Sequence, residues 1–437
     1  MMTVPLPGTP LPVPVSRRDI FAWAMFDFAN SSYTTVVLTA IFNGYFVRVV
    51  AGAHDAGTAT LFWTLAVSAA NILVLLSAPV LGAIADHGAH KKRFLAASTA
   101  GCVVFTFLLG SVGPGEVATA MLLVVLATLM FSTGENLIAA FLPEIAPPQD
   151  MGKVSAYGWT LGYVGGLLVL GVCLIYIAWA RQQGQDAAHY VPVTMWITAL
   201  TFALAAIPTF LWLPERARPL PLPPGKGYVR AGFDHARDTL RHVRRYPDLF
   251  RFLVALAVYY CGVYIVIVLA GVYAVQVMGF SEQETIVLIL VVNLAAAAGA
   301  LGFGLLQDRL GSVATLALTL LLWIGALVLA YGVESRTGFW VAAHLIGLAM
   351  GSSQSAGRAL VGQLAPPAHA AEFFGLWGLA TKLAAAVGPL VYGGVVYFTH
   401  GNQRVALLTT TGFFAVGLLI LTRVNERRGK MAALVIH

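Results

Sequence analysis

The chain has 437 residues, of which 59% are hydrophobic and only 10% are charged, and its mean hydropathy is +0.81. A soluble globular domain carries about 25% charged residues, so the composition excludes a soluble protein and makes the lipid bilayer the solvent for much of the chain. The formal net charge of +7 does not indicate nucleic-acid binding, because the Lys and Arg residues cluster in a few loops without interleaved aromatic residues. We expect no nucleic-acid partner.

Apolar segments long enough to cross a membrane alternate with polar breaks along the chain. The predicted spans lie near 20–47, 58–85, 94–113, 118–142, 155–180, 191–213, 250–276, 284–306, 312–332, 338–363, 373–398 and 404–422. The sequence therefore predicts an all-α membrane protein of about twelve transmembrane helices.

One long polar stretch divides these spans into two groups of six. The predicted regions are a cytoplasmic tail at 1–19, a six-helix bundle at 20–213, a cytoplasmic linker at 214–249, a second bundle at 250–422 and a cytoplasmic tail at 423–437.

Within the linker, apolar residues recur at helical spacing beside four arginines. These residues are Phe233, Ala236, Leu240 and Val243, with Arg237, Arg241, Arg244 and Arg245. The pattern favours a basic amphipathic helix on the anionic inner leaflet, and a partner-binding or regulatory segment is the alternative.

The distribution of basic residues predicts the orientation. With the N-terminus inside, the inner loops and tails hold about twenty-one Lys and Arg residues and the outer loops about four. This positive-inside bias places both termini in the cytoplasm. We expect a multi-pass inner-membrane protein that is a monomer.

A short repeat relates the two groups of helices. The segment 82–86 (GAIAD) after helix 2 matches 304–308 (GLLQD) after helix 8, and 145–148 (IAPP) after helix 4 matches 364–367 (LAPP) after helix 10. The offsets of 222 and 219 residues nearly agree, and each half keeps the same orientation. The repeat predicts two pseudo-symmetric six-helix bundles.

The loops after helices 2 and 8 resemble the signature loop of the major facilitator superfamily, in which a Gly, three residues and an Asp precede basic residues. The Gly lets helices approach closely, and the Asp can meet a helix N-terminus or a basic group of the other half in the outward-open state. The alternative is a basic loop that only sets topology. The predicted gating residues are Gly82, Asp86, Lys91, Lys92, Arg93, Gly304, Asp308, Arg309 and Gly311.

Polar and ionisable residues inside the spans are costly, which makes them candidates for function. Helix 1 carries Asp27, Asn30, Ser31 and Thr34 on one face. Helices 4, 10 and 11 add further polar groups, namely Glu135, Asn136, Gln354, Arg358 and Lys382. We predict that these nine residues line a cavity for a solute and a coupling ion. The alternative for Asp27 and Glu135 is a structural ion pair with Lys382 or Arg358.

Such a mixture of carboxylates and cations suits a zwitterion. It also suits proton coupling, because a carboxylate in low-dielectric surroundings can titrate near physiological pH. We expect protons as the coupling ion and no cofactor. His87 and His90 have metal-ligand spacing but no third ligand nearby, so no metal site is expected. His344 is lone in its apolar helix, and we expect a backbone partner for it.

Glycines in helices 5 and 11 favour close helix packing and rocking. The predicted packing residues are Gly162, Gly165, Gly166, Gly388 and Pro389, and the Gly-Pro pair also offers a kink.

The chain resembles the vacuole-effluxer-like (autophagy-related) branch of the major facilitators, as a bacterial member. The resemblance rests on 22–33 (AWAMFDFANSSY), 141–145 (FLPEI), 155–159 (SAYGW), 162–166 (GYVGG), 355–358 (SAGR) and 372–375 (EFFG). It implies the twelve-helix facilitator fold, alternating access and the release of neutral amino acids that is associated with the fungal members. Helix 7 departs from the branch, because Cys261 precedes Gly262 where an Asp is usual.

The sequence thus favours a proton-coupled secondary exporter of a small organic solute such as an amino acid. A multidrug or other metabolite transporter is the nearest alternative. A membrane-embedded enzyme or assembly factor belongs to another class, and no clustered catalytic set supports an enzyme. No GxxxxGK[ST] loop occurs, which disfavours an ATP-driven pump.

Overall fold

A computed structural model describes residues 16–217, Arg230, 246–400 and 402–435. The predicted amphipathic helix of the linker lies outside these residues, as does most of the N-terminal tail.

The described chain consists of long helices joined by short connections. Helix α1 is Arg17–Tyr33, and its helical path continues to Val50. The remaining helices are α2 Ala56–Gly88, α3 Lys91–Leu109, α4 Val117–Ala139, α5 Met151–Gln182, α6 Ala187–Trp212, α7 Pro247–Gln276, α8 Glu282–Leu310, α9 Ser312–Gly332, α10 Arg336–Leu364, α11 Ala370–Phe398, α12 Gln403–Leu421 and α13 Glu426–Val435.

In the described chain, eleven helices are long and apolar enough to cross a membrane. Helix α10, at 29 residues, matches the remaining predicted span but is more polar than the others. Its inner part carries a run of serines, a glutamine and Arg358, and every residue from Ala349 to Leu364 is buried. Because protein surrounds this polar stretch, it has no need of a lipid-compatible composition. The prediction of an all-α membrane protein with about twelve spanning helices is confirmed.

The outer half of α1 departs from regular α-helix. Thr34–Ala40 and Phe46–Val50 form π-helical turns, separated by a break at Ile41 and a short α-helical turn, Phe42–Tyr45. Such turns are rare and frequently occur at functional sites. The apolar composition of this span gives no sign of them.

Helix packing repeats between the two halves of the chain. In the first half α1 packs on α5 and α6, α2 and α3 pack on α4, and α3 packs on α6. In the second half α7 packs on α11 and α12, α8 and α9 pack on α10, and α9 packs on α12. Each contact of one bundle therefore has a counterpart in the other, which is the predicted pseudo-symmetry.

Four pairs of long helices join the two bundles, and the pseudo-symmetry that relates the bundles also relates these pairs. Helix α11 packs on α2 and α4, and α5 packs on α8 and α10. Glycines permit the close approach. A Cβ added at Gly82 would collide with the carbonyl of Ala371, and one at Gly304 would collide with Ala156. The two equivalent glycines of the repeat thus lie at equivalent contacts between the bundles.

The bundles are closed at one end. We call the end that carries Ser16 and the last residues of the chain the inner end, because the charge bias predicts that it faces the cytoplasm. Residues 370–378 of α11 are buried without exception, whereas Leu390, Tyr397 and Phe398 near its outer end are largely exposed. Since α10 shows the same continuous burial in its inner half, the inner halves of both bundles press together.

Substitution of Gly304 should therefore open the inner end. Gly304→Val places a side chain against Ala156, so the bundles cannot close. A single cysteine is introduced in place of buried Ala371, in a background without Cys102, Cys173 and Cys261. The rate at which a thiol reagent labels this cysteine should be at least several-fold higher in Gly304→Val than in the protein with Gly304.

Gly302→Val is the matched control, because an added Cβ there has no neighbour within 4 Å outside its own helix. Equal labelling in the two variants would contradict the assignment of Gly304 to a closed inner interface.

Candidate functional site

An ion pair joins the two bundles at the centre of the molecule. Arg358 of α10 donates from Nη1 to Oδ2 of Asp27 on α1 over 2.6 Å. Only 4% of the arginine side chain and 12% of the aspartate side chain are exposed. The pair lies where α5 and α10 meet, so it bridges the bundles in their closed arrangement.

The guanidinium of Arg358 is fixed by further contacts with the first bundle. It donates from Nε to Oγ of Ser155 over 3.1 Å and from Nη2 to the carbonyl oxygen of Ser155 over 2.8 Å. The rings of Trp23 and Trp159 lie 4.5 and 5.3 Å from its Cζ atom, within cation–π range. Arg358 is therefore a central contact between the bundles, and all three nitrogen atoms of its guanidinium group donate hydrogen bonds.

A second pair of charges, Glu135 on α4 and Lys382 on α11, is held differently. Both are partly exposed, and neither makes a hydrogen bond or an ion pair with any residue that the structure describes. Glu135 is within electrostatic range of Lys382, Asp27 and Arg358. The Lys382 ammonium lies 5.8 Å from the ring centroid of Phe131 on α4. These two charges lie on different bundles, and among the described residues neither has a bonded partner.

The other predicted cavity residues lie around these charges. Asn30 and Asn136 are buried, and Asn136 lies against Gly378 of α11. Gln354 accepts a hydrogen bond from the hydroxyl of Tyr163, which again crosses the bundles. Ser31 faces α5, and the Thr34 hydroxyl donates to the carbonyl oxygen of Ser31.

Several buried polar atoms near this centre have no hydrogen-bond partner among the described residues. They are Asn30 Oδ1, Ser132 Oγ, Asn136 Nδ2, Trp159 Nε1, Tyr260 Oη and Ser355 Oγ, contributed by α1, α4, α5, α7 and α10. A buried polar group without a partner costs about 1–3 kcal/mol, so such a concentration favours a site that water or a solute completes. The sequence pattern does not indicate Trp159 or Tyr260 as site residues, because aromatic residues are common in spanning helices.

The two gating loops make equivalent contacts at the inner end. Asp86 accepts a hydrogen bond from the backbone amide of Glu372, at the start of α11, over 2.9 Å. Asp308 accepts from the amides of Gly152 and Lys153, at the start of α5, over 3.0 and 3.1 Å. Each carboxylate thus meets a helix N-terminus of the other bundle, where the helix dipole favours negative charge.

The basic residues of these loops have different roles. Lys91 is fully buried between Asp86, 3.6 Å away, and Glu144. Lys92 donates to the carbonyl oxygen of Leu213. Arg93 and Arg309 are exposed. Gly311 ends α8 with a φ of +89°, a conformation that favours glycine.

Two further carboxylates, which were not predicted from the sequence, stabilise the inner end. Glu215 accepts from the amides of Lys91 and Lys92 at the start of α3, and Glu426 accepts from the amide of Val313 at the start of α9. Burial raises the pKa of Glu215 above its ordinary value, opposed by the hydrogen bonds from those amides.

An arginine one or two residues after each of these glutamates pairs with an aspartate in the first turn of its own bundle. Arg216 donates to Asp19 over 2.8 Å, and Arg428 donates to Asp248 over 2.6 and 2.7 Å. The signal in the sequence is a glutamate with an arginine one or two residues later, after the sixth helix of each half, at 215–216 and 426–428.

The predicted packing residues lie between neighbouring helices within each bundle. Gly162, Gly165 and Gly166 of α5 face Ser31, Phe28 and Thr35 of α1, and Gly388 of α11 faces the carbonyl of Cys261 on α7. Pro389 lies inside α11. His344 has the expected backbone partner, because its Nδ1 lies 2.7 Å from the carbonyl oxygen of Trp340.

Comparison with known proteins identifies the family. The family model described as "Vacuole effluxer Atg22 like" matches residues 46–434. The chain belongs to this family. It is therefore a membrane transporter of the major facilitator type, and the prediction of a transporter rather than an enzyme is confirmed.

Relatives and solved structures agree with this assignment. An uncharacterized MFS-type transporter of Bacillus subtilis, YxiO, is 28% identical over 93% of this chain and 94% of its own length. Autophagy-related protein 22-1 of Aspergillus niger is 22% identical, and the match covers 64% of this chain but only 48% of that protein. The crystal structure of the human organic anion transporter MFSD10 superposes with a TM-score of 0.74 at 16% identity, over 94% of this chain and all of that one. The major facilitator fold is shown.

Loss of the Arg358 side chain should be strongly destabilising. Arg358→Gln leaves the Asp27 carboxylate buried without its partner, which we expect to cost about 3–5 kcal/mol of unfolding free energy. Adding Asp27→Asn should recover part of this loss, since the unpaired charge is then removed. Equilibrium unfolding in mixed micelles measures both effects.

Arg309→Gln serves as the control, because Arg309 is exposed at the inner end. Strictly additive effects of the Asp27 and Arg358 substitutions would contradict a direct interaction between the two side chains.

Proposed function

We propose that this protein exports a small organic solute, with an amino acid as the leading candidate, in exchange for protons by alternating access. The single observation that carries the proposal is the buried ion pair between Asp27 and Arg358, which joins the two bundles. A titratable carboxylate in that position links proton binding to bundle separation.

Protonation of Asp27 removes the charge that attracts Arg358, and this weakens the closed inner end. The protonated protein then opens inward, releases its proton to the cytoplasm and takes up a solute. Recovery of the ion pair drives the return to the outward-facing state. In this scheme the pair acts as the coupling element, and the gating contacts of Asp86 and Asp308 add to the same closed state.

The arrangement of charges supports a zwitterionic solute. Arg358 is already bound to Asp27 and Ser155, whereas Glu135 and Lys382 are partly exposed and have no hydrogen-bond or ion-pair partner within the described part of the chain. We infer that Glu135 receives the solute ammonium and Lys382 its carboxylate. The family description names effluxers, which supports export. The charge bias supports cytoplasmic termini, and the bacterial MFS-type relative supports a bacterial inner membrane.

A second candidate is transport of a larger amphipathic metabolite or drug. The aromatic rings of Phe131 near Lys382, and of Trp159 and its neighbour Tyr163 near Arg358, favour it, because aromatic surfaces bind apolar and cationic groups. The human relative in fold is an organic anion transporter, which is a property of that protein.

Neutralisation of both carboxylates should abolish coupling. Proteoliposomes preloaded with radiolabelled neutral amino acids should lose label faster when the outside is acidified. For one proton per cycle, a gradient of one pH unit is worth about 1.4 kcal/mol, or about tenfold in the steady-state distribution. Asp27→Asn with Glu135→Gln should eliminate this stimulation.

Glu334→Gln, which alters an exposed carboxylate, is the control and should behave as the wild type. Undiminished proton-driven efflux by the double variant would overturn the proposed coupling. Stimulated efflux of amphipathic drugs alone would favour the second candidate.

A further inference from the structure

Two aromatic side chains and an arginine lie together at the inner end of the first bundle. The guanidinium carbon of Arg18, in the first turn of α1, is 5.1 Å from the ring centroid of Trp212, the last residue of α6. The ring of Phe21, about one turn further along α1, lies 6.3 Å from the same indole. Phe21 and Trp212 are 46% and 38% exposed, and Arg18 is exposed as well. These three residues, which we call the α1–α6 corner, form one surface that no described residue covers.

The α1–α6 corner carries positive charge that the described chain does not neutralise. Arg18 and the neighbouring Arg17 are exposed, and neither guanidinium has a hydrogen-bond or ion-pair partner within the described part of the chain. Asp19 is the acidic residue of the same turn, and its carboxylate is already paired with Arg216 over 2.8 Å. A ligand at this corner therefore meets two cations, and an anionic ligand complements them.

The apolar side of the corner continues into the lipid-facing surface of the bundle. A stripe of exposed apolar side chains follows one face of α6 and consists of Leu200, Leu204, Ile207 and Leu211. The stripe ends next to Trp212, so an acyl chain that lies along α6 leads to the α1–α6 corner. Tryptophan is enriched at the membrane–water interface, where its ring lies at the depth of the lipid headgroups. A phospholipid has both an anionic headgroup and apolar chains, whereas a soluble protein would have to displace lipid from the stripe.

The second bundle lacks the cation of this corner, although the two bundles share their helix packing. Asp248 of α7 corresponds to Asp19 of α1, because each pairs with an arginine that follows the last spanning helix of its bundle. Pro247 precedes Asp248 where Arg18 precedes Asp19. The fold can therefore be built without a cation at this position, and the contact between Arg18 and Trp212 is a feature of the first bundle alone.

We propose that the α1–α6 corner is a binding site for an anionic phospholipid of the inner leaflet. Arg18 binds the phosphate oxygens, and Arg17 adds to the attraction for the headgroup. The rings of Trp212 and Phe21 pack against the glycerol region and the upper part of the acyl chains. The bound lipid thereby links the first turn of α1 to the last turn of α6. The site is separate from the central ion pair, so the inference does not depend on the proposed function.

Native mass spectrometry of the purified protein, released from neutral detergent micelles, tests the site with phosphatidylglycerol and phosphatidylcholine of identical acyl chains. The wild type should bind phosphatidylglycerol with a Kd several-fold lower than that for phosphatidylcholine. Arg18→Gln should raise the Kd for phosphatidylglycerol about fivefold, as expected for one basic residue near an anionic headgroup, and should leave the Kd for phosphatidylcholine unchanged. Trp212→Leu keeps an apolar side chain but removes the indole, and it should weaken the binding of both lipids.

Arg423→Gln is the matched control, because it removes an exposed arginine just beyond α12, at the inner end of the second bundle. This variant should bind phosphatidylglycerol as the wild type does. An unchanged Kd in Arg18→Gln, or an equal rise in Arg423→Gln, would overturn the inference. Displacement of the lipid by an equal concentration of glycerol 3-phosphate would show a site for any soluble anion and would also overturn it. The melting temperature of lipid-free Arg18→Gln should match that of the wild type, and a clear fall would show a structural role instead.

Discussion

The structure depends on one interaction, the ion pair between the Asp27 carboxylate and the Arg358 guanidinium. Neither charge is stable inside a membrane-spanning helix without its partner. Asp27 and Arg358 lie on different bundles, yet each is buried and each requires the other. Their bond bridges the bundles in the arrangement in which the inner halves are pressed together. Under the proposed mechanism this pair stabilises the closed inner end, and discharge of Asp27 favours its opening.

The remaining contacts of the closed end follow the internal symmetry of the fold. Asp86 and Asp308 bind helix N-termini of the opposite bundle, and Gly82 and Gly304 allow the backbones to approach. These contacts consist of backbone donors and small residues, which separate without leaving a charge stranded in lipid. The central ion pair is different, because its separation requires a proton, water or a solute. In the proposed mechanism, the contacts of the gating loops therefore open and close reversibly, and the protonation of the central ion pair controls when they do so.

Much of the fold could be predicted from the sequence, because spans, orientation and repeat rest on the physics of lipid solvation, which acts on each segment alone. The repeated loops also located Asp86 and Asp308 from their spacing. The pairing within the site was beyond the sequence, which left Asp27 and Glu135 equivalent and could not choose between Arg358 and Lys382. Only the packing of α1 against α5 and α10 distinguishes them. Tyr260 and Trp159 were not predicted as site residues, because a polar atom that lacks a partner among the described residues leaves no trace in composition or periodicity.

The central claim is that the charge of Asp27 controls the inner end, and a distance measurement tests it directly. Gln149 and Ala368 are exposed residues at equivalent positions after α4 and after α10, one on each bundle. Spin labels at these two sites, in a background without native cysteines, report the inner separation by pulsed electron paramagnetic resonance. We expect acidification to shift the wild type from the short distance to a longer one, and Asp27→Asn to show the longer distance at every pH. A distance distribution that responds to neither acid nor Asp27→Asn would contradict the account.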